Sequence, residues 1–411
     1  MARLATDVKV FRYTDPGAPE LTGANGSMVE LLNACLVTGY GSTTVTSVTR
    51  EGSTVTVTIQ GGHSFPQYAV IELAGANETD YNGTHRIETV TDTTFTFTLP
   101  DGLTPTTPAT GTIAVKMASA GWEQTFASAD NLRRVFRSTD PAAFGYYLYV
   151  DDTESEFSNR AAVKGYGIVE DIDTRFEPFP WSDTDDQWTW WVKSYEDATP
   201  RPWAVIADSR LFYVWVNADP AQNKPFIYVF GDAVPINSAD LFACVIGGHG
   251  SSTETNYSGG LLTITALDNM APGGYLARDI TGTQFGVGCC VVGTDLRAHN
   301  AYYARDIYPR PLGLYDDITF PCPVTNSILT NSVPIFEYAS NAGVPRGYLP
   351  GLYEPLHDKP LDSLVIIQND IPGHRPLIGL RYLASRWNFS GGETGLREGQ
   401  VLVDILGSWR D

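Results

Sequence analysis

Alternating apolar and polar residues dominate the chain from position 43 to about position 117. The runs T-V-T-V-T, V-I-E-L-A and T-F-T-F-T are typical, and glycine, proline, asparagine or aspartate separates each run from the next. A period of two sends alternate side chains to opposite faces of a strand. The pattern predicts a small antiparallel β-sandwich or barrel over residues 43–117, with threonine-rich faces in contact with water.

From position 118 onward the apolar runs are longer and less regular. Strand candidates lie at 144–150, 161–170, 187–194, 203–208, 211–217 and 225–232. The last third continues with L-L-T-I-T-A-L, F-G-V-G-C-C-V-V-G, S-L-V-I-I-Q and Q-V-L-V-D-I-L. Long helical patterns are scarce, and proline-rich connections predict rigid loops. The fold class is therefore mainly β, with a larger β-sandwich-like domain over residues 118–411.

One short helix is predicted within residues 27–41. Ser27 and Glu30 have the spacing of a capping box, and glycines at 39 and 41 supply a stop. Four apolar residues follow the cap at helical spacing: Leu31, Leu32, Cys35 and Leu36. A helix of about ten residues is marginal alone. We expect these four residues to pack on the larger domain and not on the β module that follows, so that residues 1–42 belong with that domain and residues 43–117 are inserted between them.

Composition and charge narrow the possible partners. Hydrophobic residues make up 43% of the 411-residue chain, which is enough for buried cores. The formal net charge of −20 repels phosphate backbones and anionic membranes, so we expect no nucleic-acid or membrane partner. No apolar run is long enough to span a bilayer, and the first residues lack the apolar segment of a secretion signal. We expect synthesis in the cytoplasm.

Two acidic clusters are the candidates for catalysis or metal binding. Carboxylates at 183, 185 and 186 could hold calcium, but Trp188 and Ser194 stand where a calcium loop needs glycine and glutamate. The second cluster could supply the carboxylate pair of a glycoside hydrolase, although the sequence does not fix the required separation. Exposed turns are favoured for both clusters, whose members are Asp183, Asp185 and Asp186, and Asp151, Asp152, Glu154 and Glu156.

Histidines and cysteines show no metal-ligand or nucleophile spacing. We therefore predict no catalytic residue, no metal and no cofactor, and we expect the cysteines to be reduced and structural. The residues concerned are His63, His85, His249, His299, His357 and His374, and Cys35, Cys244, Cys289, Cys290 and Cys322.

A concentration of tryptophans is the remaining signal. Five fall within 23 residues: Trp181, Trp188, Trp190, Trp191 and Trp203. Exposed rings could stack on a host-surface glycan, whereas buried rings would belong to the core or to a subunit interface. In W-T-W-W, a strand would place Trp188 and Trp190 on one face and Trp191 on the other.

The opening of the chain carries two further motifs. Gly17, Ala18, Pro19, Leu21 and Gly23 form a G-A-P-x-L-x-G turn, and the helix ends in A-C-L-V-x-G-x-G over residues 34–41. Together they resemble the start of a family of virion structural proteins of tailed bacteriophages, with Asn33 and Tyr40 as mild departures. The β unit of 43–117 is similar to repeat-type modules of phage tail and fibre proteins, and R-G-Y-L-P-G-L-Y-E-P-L-H and V-L-V-D-I-L-G-S-W resemble the body of the same family.

The resemblance implies a non-enzymatic structural component of the virion, associated with the tail or baseplate. Its partners would be copies of itself and other virion structural proteins. Capsid decoration and host-surface glycan binding are the alternatives, and a glycan-cleaving enzyme is the least favoured.

Overall fold

The computed structural model describes residues 4–153, 159–181, 188–194, 198–221, 225–248, 274–291, 321–339, 342–356, 362–367, 375–388 and 394–410. This part of the chain is mainly β, with antiparallel sheets and one short α-helix, which confirms the predicted fold class. The strand predicted at L-L-T-I-T-A-L lies outside the described residues.

The chain opens with β1 (Lys9–Arg12) and α1 (Ser27–Asn33). A π-helical turn, Ala34–Thr38, extends α1, and Gly39 ends it with a φ of 69°. Eight strands follow and form two antiparallel sheets in the orders β2-β9-β5-β6 and β3-β4-β8-β7. They are β2 (Tyr40–Thr44), β3 (Ser47–Glu51), β4 (Thr54–Thr58), β5 (Val70–Ala76), β6 (Gly83–Arg86), β7 (Thr89–Val90), β8 (Thr94–Thr98) and β9 (Gly111–Met117). We call these eight strands the small β unit.

A six-stranded antiparallel sheet comes next. Its order is β10-β11-β12-β13-β14, and β15 also pairs with β13. The strands are β10 (Trp122–Ala127), β11 (Arg133–Ser138), β12 (Tyr147–Asp151), β13 (Arg160–Val169), β14 (Arg175–Phe179) and β15 (Thr189–Val192).

The remaining twelve strands and β1 build a 13-stranded sheet that curls into a half-barrel. The twelve have the following bounds. They are β16 (Trp203–Ala207), β17 (Leu211–Asn217), β18 (Pro225–Asp232), β19 (Val234–Pro235), β20 (Cys244–Gly247), β21 (Gly274–Arg278), β22 (Phe285–Val291), β23 (Thr330–Ala339), β24 (Ala342–Pro355), β25 (Ile366–Ile367), β26 (Leu377–Asn388) and β27 (Thr394–Asp404). Their order is β1-β16-β17-β18-β20-β21-β22-β23-β24-β27-β26-β25, with β19 paired to β24.

Strand β17 is buried on both faces. Its alternate residues Phe212, Val214 and Val216 pack in one core with the six-stranded sheet. The other face meets the far side of the curled sheet, where the Tyr213 hydroxyl donates to the Pro350 carbonyl at 2.9 Å and the Trp215 indole N–H donates to the Arg381 carbonyl at 2.8 Å. Burial on both faces explains why L-F-Y-V-W-V reads as a continuous apolar run.

The N-terminal helix is anchored to the strands that follow the small β unit. The carbonyls of Cys35 and Leu36 accept from the N–H groups of Ala120 and Gly121, at 2.9 and 3.1 Å. They link the end of the helix to the segment that follows the small β unit. The core cluster that contains the fully buried side chains of Leu31, Leu32, Cys35 and Leu36 also includes residues of the small β unit, so the helix lies where both meet.

The predicted capping box is wrong. Gly26, with a φ of 85°, occupies the cap position, and no side chain of the cap residue bonds to the helix. The Ser27 hydroxyl donates to the Thr22 carbonyl at 2.8 Å, and Glu30 pairs with Arg134. The cap comes from a distant residue, because the Asp152 carboxylate accepts from the N–H of Met28 at 2.8 Å.

Candidate interaction surface

The five tryptophans do not form one exposed surface. Trp191 and Trp203 are fully buried. The Trp191 ring stacks on Tyr228 with centroids 5.5 Å apart and donates to the Gly247 carbonyl at 2.7 Å, and Trp203 donates to the Pro19 carbonyl at 3.0 Å. Trp181 is 42% exposed, whereas Trp188 and Trp190 are half-buried. Packing in the core therefore explains two of the five tryptophans.

The predicted alternation of side chains within W-T-W-W agrees with the positions of Trp188 and Trp191. Trp191 belongs to the main core, while Trp188 packs on the opposite face of the six-stranded sheet. On that face Trp188 lies 5.9 Å from Tyr149, measured between ring centroids. Strand β12 alternates in the same way, since Leu148 and Val150 face the core and Tyr149 faces away from it.

This outer face carries a group of rings and cations of which the sequence pattern indicated only Trp188. We call it the aromatic–basic cluster; its members are Tyr147, Tyr149, Tyr166, Trp188, Arg133, Arg137, Lys164 and Arg175. The strand register brings them together, because Tyr147 lies opposite both Arg137 and Tyr166, and Tyr149 lies opposite Lys164. Cross-strand neighbours on one face interact directly.

Each cation but one lies over a ring. The guanidinium carbon of Arg175 is 4.1 Å from the Tyr149 centroid and 5.4 Å from that of Tyr166. Arg137 lies 4.9 Å from the Tyr147 centroid and also donates to its hydroxyl at 3.1 Å. The Lys164 ammonium lies 4.6 Å from the Trp188 centroid. Cation–π contacts of this kind stabilise by about 0.5–2 kcal/mol and fix the direction of the charged groups.

The fourth cation, Arg133, is neutralised within the chain. It donates to the Asp173 carboxylate at 2.8 Å, and this hydrogen bond raises the pKa of Arg133. Burial raises the pKa of the neighbouring Tyr149 phenol, so that ring stays neutral. Among the described residues, Arg137 and Arg175 have no carboxylate at ion-pair distance, and both are half-buried.

The described carboxylates of the predicted acidic clusters have structural contacts. Asp151 accepts from the N–H of Thr153 at 3.0 Å and from its hydroxyl at 2.5 Å. Asp152 is fully buried and forms an ion pair with the equally buried Lys193, whose ammonium also donates to the Ala24 carbonyl at 2.7 Å. Burial raises the pKa of Asp152 and lowers that of Lys193, and the ion pair opposes both shifts. Glu154, Glu156, Asp183, Asp185 and Asp186 lie outside the described residues.

The described histidines and cysteines lie in packed surroundings. His85 is buried and stacks on Phe97 with centroids 3.9 Å apart, and His63 lies edge-on to Phe95. Four cysteines are free and buried: Cys35, Cys244, Cys289 and Cys322. Within the described ranges no three potential ligands form a metal-binding group. His249, His299, His357, His374 and the side chain of Cys290 fall outside what the structure describes.

The aromatic–basic cluster had a signal in the sequence. Y-L-Y-V and V-K-G-Y each place a cation or a ring at every second position, and R-R-V-F-R places Arg133 and Arg137 on either side of Val135 on one face. Only the pairing of the strands shows that these positions share one face of the sheet.

In the part of the chain that the structure describes, no helix is both long and apolar enough to cross a bilayer. Neither a protein-family model nor a curated protein sequence matches the chain.

Proposed function

We propose that this chain is a non-enzymatic structural component of a tailed-phage virion, associated with the tail or baseplate and assembled as a homo-oligomer. The likeness of its opening motifs to virion structural proteins is the starting point. The observation that carries the proposal is that these same motif residues build the junction between the small β unit and the rest of the protein.

The two motifs meet at this junction. The Asp15 carboxylate accepts from the N–H of Arg12 at 2.8 Å and from the Tyr40 hydroxyl at 3.0 Å, which joins the turn to the end of the helix. The backbones of residues 16–17 and Gly41 approach so closely that a Cβ on Gly41 would lie 2.0 Å from the Pro16 carbonyl oxygen. Glycine is required there for lack of space and for its φ of 71°.

A second contact fixes the small β unit from the other side. Arg86 on β6 is buried, and its guanidinium donates to the carbonyls of Ala5 and Val8, at 2.6 and 2.5 Å, and of Tyr68 at 2.7 Å. The segment that receives two of these bonds continues into β1, which pairs with β16 of the large sheet. The small β unit thus has a fixed orientation, as a subunit that must repeat one geometry in a symmetric assembly requires.

The contacts of Asp151 and Asp152 favour a structural role for these carboxylates over a catalytic one. Glycoside hydrolysis needs two carboxyl groups that face a substrate cleft. Asp152 is instead fully buried against Lys193 and the helix, and Asp151 is bonded to Thr153. Neither is arranged to act on a glycan.

Sedimentation of particles tests the proposal. Virions of the phage that encodes the chain are purified on a density gradient and probed with an antibody raised against the full chain. We expect the protein in the particle fraction at a constant ratio to the other structural proteins. A chain that stays in the soluble lysate while intact particles lack it would refute the proposed function.

A further inference from the structure

We propose that Lys193 and Asp152 react with each other and form an amide bond between their side chains, an isopeptide crosslink within the chain. Their ion pair is the state of the newly folded protein, and the crosslink is the product that it gives. The new bond joins the end of β12 to the segment that follows β15. The inference is independent of the proposed virion role, since it concerns chemistry inside one chain.

The two reacting groups lie in contact inside a dry core. Both side chains are fully buried, and the ammonium donates directly to a carboxylate oxygen. A nitrogen in that position lies about 3–3.5 Å from the carboxyl carbon, which is the separation from which a nucleophile attacks. Folding therefore holds the amine and its target carbon together at a high effective concentration.

Burial favours the uncharged forms that react. An amine attacks a carboxyl carbon only after it has lost its extra proton, and a carboxylic acid accepts the attack more readily than its anion. Removal from water raises the pKa of Asp152 and lowers the pKa of Lys193, so desolvation shifts the pair toward acid and amine. Among the described residues the ammonium meets two acceptors for its three protons, the Asp152 carboxylate and the Ala24 carbonyl.

The same site satisfies the hydrogen bonds of the product. The amide retains one N–H, and the Ala24 carbonyl is in place to accept it, 2.7 Å from Nζ. The amide also retains one carbonyl oxygen, Oδ2, which already accepts from the Met28 N–H at 2.8 Å. The Val29 N–H also donates to this carboxyl group, and such donors stabilise the negative charge that develops during attack. The crosslink therefore replaces two buried charges with one neutral group whose polar atoms are bonded.

The reaction needs no other reagent. The ammonium passes one proton to Oδ1 within their hydrogen bond, and the Nζ lone pair then forms a bond to Cγ. The Cγ–Oδ1 bond breaks, and Oδ1 leaves as water with that proton and a second proton from the nitrogen. One ammonium and one carboxylate thus give one amide and one water molecule.

Mass spectrometry of the full chain tests the proposal. The purified protein is incubated in its folded state near neutral pH and then unfolded, and its intact mass is compared with the mass calculated from the sequence. We expect the mass to be lower by one water molecule. A tryptic digest should contain a branched peptide that joins the peptide of Asp152 to that of Lys193, because trypsin does not cleave after a lysine whose amine is in an amide.

Two controls come from the chain itself. Lys193→Arg retains the positive charge but supplies a guanidinium group, which stays protonated and does not attack, so this variant should keep the full mass. Near-ultraviolet circular dichroism verifies that the variant is folded. Lys116 and Glu72 form a half-exposed pair at 3.2 Å, and they should stay unlinked in the digest of the unaltered chain, because water keeps both groups charged.

Three results would overturn the proposal. The first is an unchanged mass with separate peptides for Asp152 and Lys193 after prolonged incubation, which would show that the pair stays ionic. The second is a loss of water in the folded Lys193→Arg variant. The third is a loss of water that the digest locates elsewhere, such as a cyclic imide at Asp101 and Gly102.

Discussion

At the scale of single residues, Asp152 shows how one carboxylate can join three segments. It accepts from the first turn of α1, pairs with Lys193 after β15, and lies at the end of β12. The sequence places it in a polar run that is typical of an exposed turn. Its burial could not be read from D-D-T-E-S-E, because its partners lie 124 and 41 positions away.

Removing the charge of Asp152 should destabilise the fold strongly. Asparagine can still accept from Met28 but leaves the buried Lys193 ammonium uncompensated, so we expect Asp152→Asn to lower the free energy of unfolding by about 3–5 kcal/mol. Asp173→Asn breaks the surface pair with Arg133, whose side chains are 70% and 31% exposed, and should cost less than about 1 kcal/mol. Urea unfolding measures both, and equal effects would contradict the structural role of the buried pair.

A second buried carboxylate predicts a dependence of stability on pH. Burial raises the pKa of Asp15 from 3.8 to about 6. Between these values the folded state binds a proton that the unfolded state has released, so stability falls as pH rises through this window and the loss is complete above about pH 6.

Asp15→Asn should remove this loss of stability, because asparagine does not titrate. Its amide oxygen can still accept both hydrogen bonds. The variant should therefore gain stability relative to the unaltered chain as pH rises from about 4 to about 6, by on the order of 2–3 kcal/mol. Thermal unfolding at a series of pH values measures the difference. A difference that does not change with pH would contradict the assigned pKa.

At the scale of elements, the local sequence pattern predicts the strands. It does not predict which distant segments come into contact. The runs T-V-T-V-T and T-F-T-F-T became β4 and β8, with Val55, Val57, Phe95 and Phe97 all buried. Period two is a local property, so it can be read directly. The cap of α1 and the aromatic–basic cluster depend on which strands pair, and a single sequence does not state this.

The junction of the opening motifs gives the clearest test at this scale. Alanine at Gly41 would require both a φ of 71° and a Cβ 2.0 Å from the Pro16 carbonyl oxygen, so the backbone must move. We expect Gly41→Ala to lower the free energy of unfolding by more than about 2 kcal/mol.

Gly52 is the matched control. It has a φ of 60°, and no atom lies within 4 Å of the position that a Cβ would take, so Gly52→Ala should cost only the backbone penalty of about 1 kcal/mol. Chemical denaturation compares the two variants. If they lose equal stability, the close approach at the junction does not constrain the fold.

At the scale of the whole molecule, the proposed role concerns how the sheets pack into one subunit. Strand β17 packs in one core with the six-stranded sheet and in a second core with the far strands of the curled sheet. Identical rigid subunits can repeat one contact indefinitely or close it into a ring, as the proposed homo-oligomer would. The fold could be predicted as mainly β from the sequence, but the aromatic–basic cluster could not, since it depends on side chains from several strands.

Imaging of the intact particle by electron cryomicroscopy tests the central claim most directly. We predict symmetric copies of this chain at the tail or baseplate, each in contact with the next. Particles that contain no density for the chain, or that contain isolated copies without mutual contact, would contradict the account.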